Sequence, residues 1–410
     1  MITSLCQTFN VANQVNPPRG MRDMLPEDKL FRERLISSVR QDYLSRGFQE
    51  VETPALEDIS RLTSGQGGDN EKLVFQVLKR GEDLESALKS GSALADMGLR
   101  FDLTVPLTRY FATNQASLPR VFKAIQIGPV WRAERPQKGR YRQFLQCDID
   151  IIGDASLLAE AELLSASLAA LKNLGLEDAT IRVNHREVLT QNISGIGVPE
   201  PEHQSAMITI DKLDKIGIDG VTSELAGKFG QPVADAALEW LSNQKDNVFP
   251  QILQALVDSM GPLASKIRYD ASLVRGMGYY TGAIFEIEHP LASSSIGGGG
   301  RYDSMVGKWS GSDAPAVGIS LGIERIIELA SLAEEQASSL VLMLDSEALT
   351  GLALRIQGEL IAQGVRCRIE LRQKNFKVQM SSLSKQGFEK FAQLDSGTTS
   401  ASDLDIRLLN

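Results

Sequence analysis

The chain has 410 residues, of which 42% are hydrophobic and 23% charged, and a formal net charge of −9. At roughly 100–200 residues per domain this length predicts two or three domains with real apolar cores. No run of about 18 apolar residues is present to span a membrane, and the acidic balance argues against indiscriminate binding of nucleic acid, leaving only locally concentrated basic surface for that purpose. Cys6, Cys147 and Cys367 are scattered, and His185, His203 and His289 form neither an HxxH nor an HExxH pattern. A reduced, cytoplasmic protein without a zinc site is therefore expected. The leader has no basic segment followed by an apolar block, and arginine is absent before Arg19, so neither a secretory signal nor a transit peptide is expected.

After a turn-rich stretch over 17–26, Phe31, Leu35, Val39 and Tyr43 recur at helical spacing. They predict an amphipathic helix over 28–46, stopped by Gly47, and a short strand from Phe48 to Pro54. Residues 63–92 are glycine-rich and charged and are expected to form a flexible loop region. In Leu99-Arg-Phe-Asp-Leu-Thr-Val-Pro106 the two-residue spacing puts Asp102 and Thr104 on one side of a predicted strand. A carboxylate beside a hydroxyl can clamp an α-amino group, and an ordinary edge strand stopped by Pro106 has the same pattern.

Residues 121–153 read as two strands joined by a cationic loop, Arg135-Pro-Gln-Lys-Gly-Arg-Tyr-Arg142. On the returning strand Leu145, Cys147, Ile149 and Ile151 share one face, and Phe144, Gln146, Asp148 and Asp150 the other. On the outgoing strand Ile125, Ile127 and Trp131 oppose Gln126, Arg132 and Glu134. One side of the hairpin thus packs on a core. The other has the parts of a site for ATP and a small polar metabolite: a forked cation for phosphate in Arg132, an acceptor for an exocyclic amine in Glu134, a stacking ring in Phe144, and orienting groups in Gln146 and Asp150. A solvated face with casual ion pairs accounts for the spacing equally well.

Further along, 155–173 predicts an Ala/Leu-rich helix, 178–187 a strand, and 188–265 an irregular helical insertion without a chemical motif. Arg275 lies in a glycine-flanked turn before Tyr279, Tyr280 and a strand, where glycines permit close backbone approach. Gly297 to Gly300, followed by Arg-Tyr-Asp, reads by composition as a linker, and no GK[ST] follows to make it a Walker-type loop. Ala316 to Ile327 reads as a strand running into a helix, with Arg325 in its first turns and a helix terminus that favours phosphate. A linker is expected over 331–339. Alternating β and α segments over 340–410 predict a small α/β domain, on which Lys374, Lys377 and Lys385 are either a nucleic-acid-facing set or a solvated helix face.

Trp131-Arg-Ala-Glu-Arg-Pro-Gln-Lys-Gly-Arg-Tyr-Arg-Gln-Phe144 closely resembles motif 2 of the class II aminoacyl-tRNA synthetases, in the version of the histidine–tRNA ligases. The helix and strand of 28–54 resemble motif 1, which in that family builds the dimer interface, and 316–327 resembles motif 3. Leu273-Val-Arg-Gly-Met-Gly-Tyr-Tyr-Thr-Gly-Ala-Ile-Phe-Glu286 and Gly-Arg-Tyr-Asp303 resemble the two signatures particular to histidine–tRNA ligases. Gly278 stands where the family often has aspartate.

The resemblance implies an α+β fold: a class II antiparallel sheet core flanked by helices (1–187 and 266–330), a helical insertion (188–265) and an anticodon-binding-like α/β domain (340–410). It also implies a reaction in which the carboxylate of L-histidine attacks the α-phosphate of Mg2+-ATP, and the histidyl group then passes to tRNA(His). Arg132 and Arg275 would meet the α-phosphate and Arg325 the γ-phosphate. Glu134 and Phe144 would hold adenine. Asp102, Thr104 and Gln146 would hold the substrate amine. Asp150, Tyr280 and the neighbouring Tyr279 and Tyr302 would surround the imidazole, and Gln137 and Arg140 would meet the acceptor end of tRNA. A homodimer without membrane or DNA partners is expected. Two other classes share parts of this pattern. One is the non-catalytic regulatory subunit of ATP phosphoribosyltransferase, which typically lacks the full arginine set and the C-terminal domain. The other is a synthetase-like RNA-binding or signalling protein.

Overall fold

The structure is a computed structural model that describes residues 15–63, 73–136, 139–243, 248–275, 278–311, 314–332, 338–395 and 397–409. It has two compact units, Met1–Met24 with Arg32–Ser331, and Leu25–Phe31 with Leu332–Asn410.

The first unit is built on an eight-stranded sheet of β1 (Gln49–Glu50), β2 (Phe122–Trp131), β3 (Gln143–Ile152), β4 (Thr180–His185), β5 (Ile267–Tyr269), β6 (Ala283–Glu288), β7 (Gly297–Arg301) and β8 (Ala316–Gly322). Their order is β1-β2-β3-β8-β7-β6-β4-β5. Only the outermost pairs, β1–β2 and β4–β5, are parallel; the six strands between them are antiparallel neighbours. Period-2 alternation gives this sheet two unlike faces. The back face carries Ile125, Cys147, Ile149, Ile151, Phe285 and Ile319, all buried. The Leu157–Asn173 helix packs there against β8 and is pinned to β7 by a forked ion pair, Arg301 Nε and Nη2 donating to the two oxygens of Glu160 at 2.6 and 2.7 Å.

The front face is half covered. The Thr104–Asn114 and Asp303–Ser310 helices close one end over Phe101, Val105, Phe122 and Ile152; the rest opens into a cavity. The glycine run of 297–300 is not a linker but strand β7, in the middle of the sheet. Its paired registers, Gly298 with Ser320 and Glu286, and Gly300 with Gly318 and Ile284, place a floor with no side chains beneath the cavity.

Two local expectations are corrected. Within 63–92, Gln76–Leu78 is a strand and Gly81–Ser90 a helix; residues 64–72 lie outside the described residues. The strand pairs with Ala95–Leu99, which also pairs with Leu56–Asp58. The helix buries only Ala87, so its charged composition concealed it. Residues 99–106 are not one strand, because Thr104 begins a helix. Asp102 Oδ1 accepts from Val105 N at 3.1 Å in its first turn, a capping role that competes with extension. Pro106 falls in the same turn, where a missing N–H costs nothing.

The segment over 188–265 is helical. Its helices from Arg186–Gly195 to Gln231–Ser242 share their own core around Ile193, Ala206, Val221 and Ala237. The Leu213–Phe229 helix is broken at Gly217 (φ 70°, ψ 174°). The Gln251–Ser259 helix packs instead on the Leu157–Asn173 helix.

The second unit holds a four-stranded sheet in the order Arg366–Leu371, Ser339–Leu344, Lys390–Leu394, Ile406–Leu408. The first three strands are parallel. Leu340, Leu342 and Leu344 face Ile356 and Leu360, while Val341 and Met343 face Met380, Leu383 and Phe388. That two-sided burial explains why 340–344 is continuously apolar.

Candidate active site

The open part of the front face is a cavity of about 900 Å³, continuous in its lining with a small chamber of about 50 Å³; Arg132, Gln146, Arg275, Gly298 and Ser320 line both. Glycine in the floor is required by the side chains above it. A Cβ on Gly298 would stand 2.6 Å from Arg275 Cζ, one on Gly300 would stand 2.8 Å from Tyr280 Cδ1, and one on Gly318 would overlap the Asp150 carboxylate.

The large cavity is a cation cluster. Arg132 leaves the end of β2 with Nε donating to Phe101 O at 3.0 Å and its guanidinium 5.1 Å from the centroid of the Phe144 ring. Arg325, in the Ile323–Ile327 helix, donates to Ser295 O. Burial, then repulsion from Arg140, Arg132 and Arg275, lowers its pKa. Guanidiniums that repel one another around a shared cavity favour a polyanion between them. Glu134 lines the same cavity and pairs with Arg140.

Arg275 has φ 56°, the one positive-φ non-glycine among the described residues, a strained setting for a long side chain. Its Nη1 donates to Glu286 Oε2 at 2.7 Å. Burial opposes its charge, but Glu286 and Tyr280 outweigh that and raise its pKa.

The small chamber gathers carboxylates and tyrosines. Tyr302 OH donates to Asp150 Oδ1 at 2.7 Å, and Tyr279 OH to Asp102 Oδ2 at 3.4 Å. The Tyr279 ring packs edge-on to Tyr280 and Tyr302, with centroids 4.8 and 6.1 Å away. Burial lifts Asp102 to about 6, against the Val105 N–H and the charge of Arg132. Burial lifts Asp150 to about 7, against the Tyr302 hydrogen bond. Gln146 Nε2 donates to Ser320 Oγ at 2.7 Å while its Oε1 is buried without a partner. A buried acceptor left open in this way is suited to a ligand N–H.

The structure therefore brings together Asp102, Thr104, Arg132, Gln146, Asp150, Arg275, Tyr279, Tyr280 and Tyr302 around the small chamber, and Glu134, Arg140, Phe144 and Arg325 around the large one. Gln137 lies outside the described residues. Three residues were missed. Asp148 lines the chamber with Oδ1 buried and unpartnered, and burial, then Asp150, pushes its pKa well up. Ser320 stands beside it in register. Arg182 lines the large cavity. The alternation of β3 already put Asp148 on the site face; Arg182 carried only a weaker signal, a polar position between Ile181 and Val183.

A histidyl-tRNA synthetase family profile matches residues 20–326. The histidine–tRNA ligase of Leifsonia xyli subsp. xyli (strain CTCB07) is 46% identical, covering 97% of this chain and 99% of its own. The probable histidine–tRNA ligase of Tropheryma whipplei (strain Twist) is 40% identical over 93% and 96%. The histidyl-tRNA synthetase from Nostoc sp. PCC 7120 superposes with a TM-score of 0.75 at 25% identity, covering 97% of this chain and 95% of its own. An ATP phosphoribosyltransferase regulatory subunit/histidyl-tRNA synthetase from Bacillus halodurans C shares the fold, with a TM-score of 0.67 at 19% identity over 93% and 97%. The antiparallel sheet with its arginine-lined cavity is that of a class II aminoacyl-tRNA synthetase. Within that class, the chain belongs to the histidyl-tRNA synthetase family.

Proposed function

We propose that the protein attaches L-histidine to tRNA(His) in two steps, forming histidyl-adenylate and pyrophosphate from ATP and then releasing AMP as the tRNA is charged. The observation that carries this reading is the adjacency of an arginine-lined cavity to a small carboxylate–tyrosine chamber, with Arg275 lining both.

The substrate carboxylate is itself the nucleophile, so the side chains need only position it and neutralise charge growing at phosphorus. Arg132 and Arg275 flank the α-phosphate and Arg325 the γ-phosphate. Phe144, with Arg132 over its ring, and Glu134 hold adenine, which requires Glu134 to exchange Arg140 for the base. Asp102, Thr104 and the open Gln146 Oε1 take the ammonium. Asp150 and Tyr280 take the two ring nitrogens, with Tyr279 and Tyr302 as walls. A side chain that cannot pair with both leaves buried polar groups open, which rejects other amino acids.

Among the described residues no group of three His, Cys, Asp or Glu side chains is placed to hold a metal ion. In this reading Mg2+ arrives coordinated to ATP, and the arginines do the protein's share of charge neutralisation. Gln137 and Arg140 meet the acceptor end of tRNA, the 188–265 helices lie near its acceptor arm, and residues 340–410 bind the anticodon arm. The active form is a homodimer built on the 28–54 segment and works in the cytoplasm; among the described residues no helix is long and apolar enough to cross a membrane. The retained Arg132, Arg275 and Arg325, and a folded C-terminal unit, speak against a purely regulatory subunit.

The test is histidine-dependent ATP–pyrophosphate exchange, repeated with other amino acids. Exchange with histidine alone is expected. Binding of histidine without exchange would favour the regulatory reading.

A further inference from the structure

Arg182 has no part in the reaction as assigned above, yet it is heavily engaged in the cavity wall. It projects from the site face of β4, directly across from Glu286 on β6. Its Nη1 donates to Asp270 Oδ2 at 3.0 Å, and its Nη2 to Asp214 Oδ2 at 3.0 Å and to Glu286 Oε1. Its Nε lies 3.1 Å from Glu288 Oε1 without the alignment of a hydrogen bond. Glu286 is a divided carboxylate, with Oε1 held by Arg182 and Oε2 accepting from Arg275 Nη1. One carboxylate thus links the two arginines.

Arg275 spends one donor, Nη1, on Glu286 and keeps its other N–H groups for a ligand. An incoming anion therefore competes with Glu286 for the charge and the aim of the guanidinium. With one oxygen committed to Arg182, Glu286 attracts Arg275 less than an otherwise unpartnered carboxylate would. It still fixes where the Arg275 side chain points, from a backbone already strained at φ 56°. Burial works against ionisation of Glu286, and Arg275 and Arg182 together more than offset it, so it stays charged and divided.

We propose that Arg182 is a positioning residue for amino-acid activation: by anchoring and part-neutralising Glu286 it holds Arg275 aimed into the cavity yet releasable to the substrate. Asp214 extends this chain of ion pairs into the helical segment. It sits on the turn just before the break at Gly217, so the placement of that turn is tied to Arg275 through Arg182 and Glu286.

The proposal rests on Arg275 being the arginine that meets the α-phosphate and substrate carboxylate, and the experiment separates the two ideas. Histidine-dependent ATP–pyrophosphate exchange is measured on the full chain for wild type, R275A, R182M, E286Q and R182M/E286Q, each checked by thermal melting. R182M is expected to lose about tenfold or more in kcat, with a smaller change in KM for histidine. Adding E286Q to it should recover most of that loss, because the charge needing neutralisation is gone. Unchanged exchange in R182M overturns the proposal. So does a double variant no better than R182M, the result a merely structural arginine would give. If R182M does not fold, R182K takes its place; a loss restored by E286Q supports the proposal, and no loss or no restoration overturns it. Wild-type exchange in R275A would instead sink the assignment of Arg275 on which the proposal stands.

Discussion

The two faces of the central sheet are made by the same strands and obey opposite rules. On β3, Cys147, Ile149 and Ile151 point back into a core with 0–1% exposure. Their neighbours Gln146, Asp148 and Asp150 point forward, also buried at 2–8% exposure, and two of the three keep an oxygen without a partner. The back face gains free energy from every group it buries. The front face gives some up, since each desolvated carboxylate and each strained or mutually repelling arginine destabilises the empty protein. The difference teaches that burial alone does not mark a core; a buried face that is not satisfied is a face prepared for a ligand.

Substitutions can break this contrast. The largest effect is expected from Arg275→Ala on the front face. Exchange should fall by a factor on the order of 10²–10³, as for loss of a donor aimed at developing charge, while the melting temperature changes little. Exchange at wild-type rates would remove Arg275 from the mechanism. The mirror image is Ile149→Ala on the back face, which should cost about 2–5 kcal/mol of stability as a buried cavity and leave exchange near wild type well below the melting transition. A comparable loss of kcat per folded molecule would mean the faces are not separable.

Asp150→Asn sharpens the contrast through pH. Burial lifts the Asp150 pKa from 3.8 unfolded to about 7 folded. Between those values the folded state holds a proton that the unfolded state has lost, so the stability contributed by Asp150 falls as pH rises through that window. The asparagine variant should melt like wild type near pH 4, above it at pH 8, and show little exchange at either. Equal melting temperatures at pH 8 would contradict a carboxylate whose charge is penalised by burial. The smallest effect belongs to the second unit. Lys374, Lys377 and Lys385 are exposed. Changing all three to alanine should weaken tRNA binding a few-fold, more at low salt, with exchange unchanged. An unchanged KM for tRNA would return them to a solvated helix face.

Most of the sheet could be read before any coordinates. Alternation identified the β2–β3 hairpin and its polar side, and the strand-to-helix passage at 316–327 is where it was expected. The misses have particular causes. Asp102 caps a helix through Val105, a three-residue relation that two-residue alternation misreads as a shared strand face. The Gly81–Ser90 helix has one buried residue, and its apolar stripe is only Leu84, Ala87 and Leu88, short enough to be lost among four charged residues. Asp148 was on the page as a polar position in β3, but its empty hydrogen-bonding capacity depends on Ser320 and Asp150 closing around it. Arg182 draws its partners from positions 214, 270, 286 and 288, and no local window contains them.

The glycine floor of β7 has a consequence for anyone who would change what the pocket accepts. Enlarging a binding site usually means trimming a side chain beneath the ligand. Here there is nothing to trim, and additions are blocked, since Gly298 and Gly300 already lie against Arg275 and Tyr280. Room for a bulkier histidine analogue has to come from the walls, Tyr302 or Tyr280. Shortening Tyr302 would also strip Asp150 of its hydrogen-bond donor. If Asp150 reads the imidazole as proposed, size and ring recognition are tied to the same residue, and a variant relaxed for one is relaxed for the other.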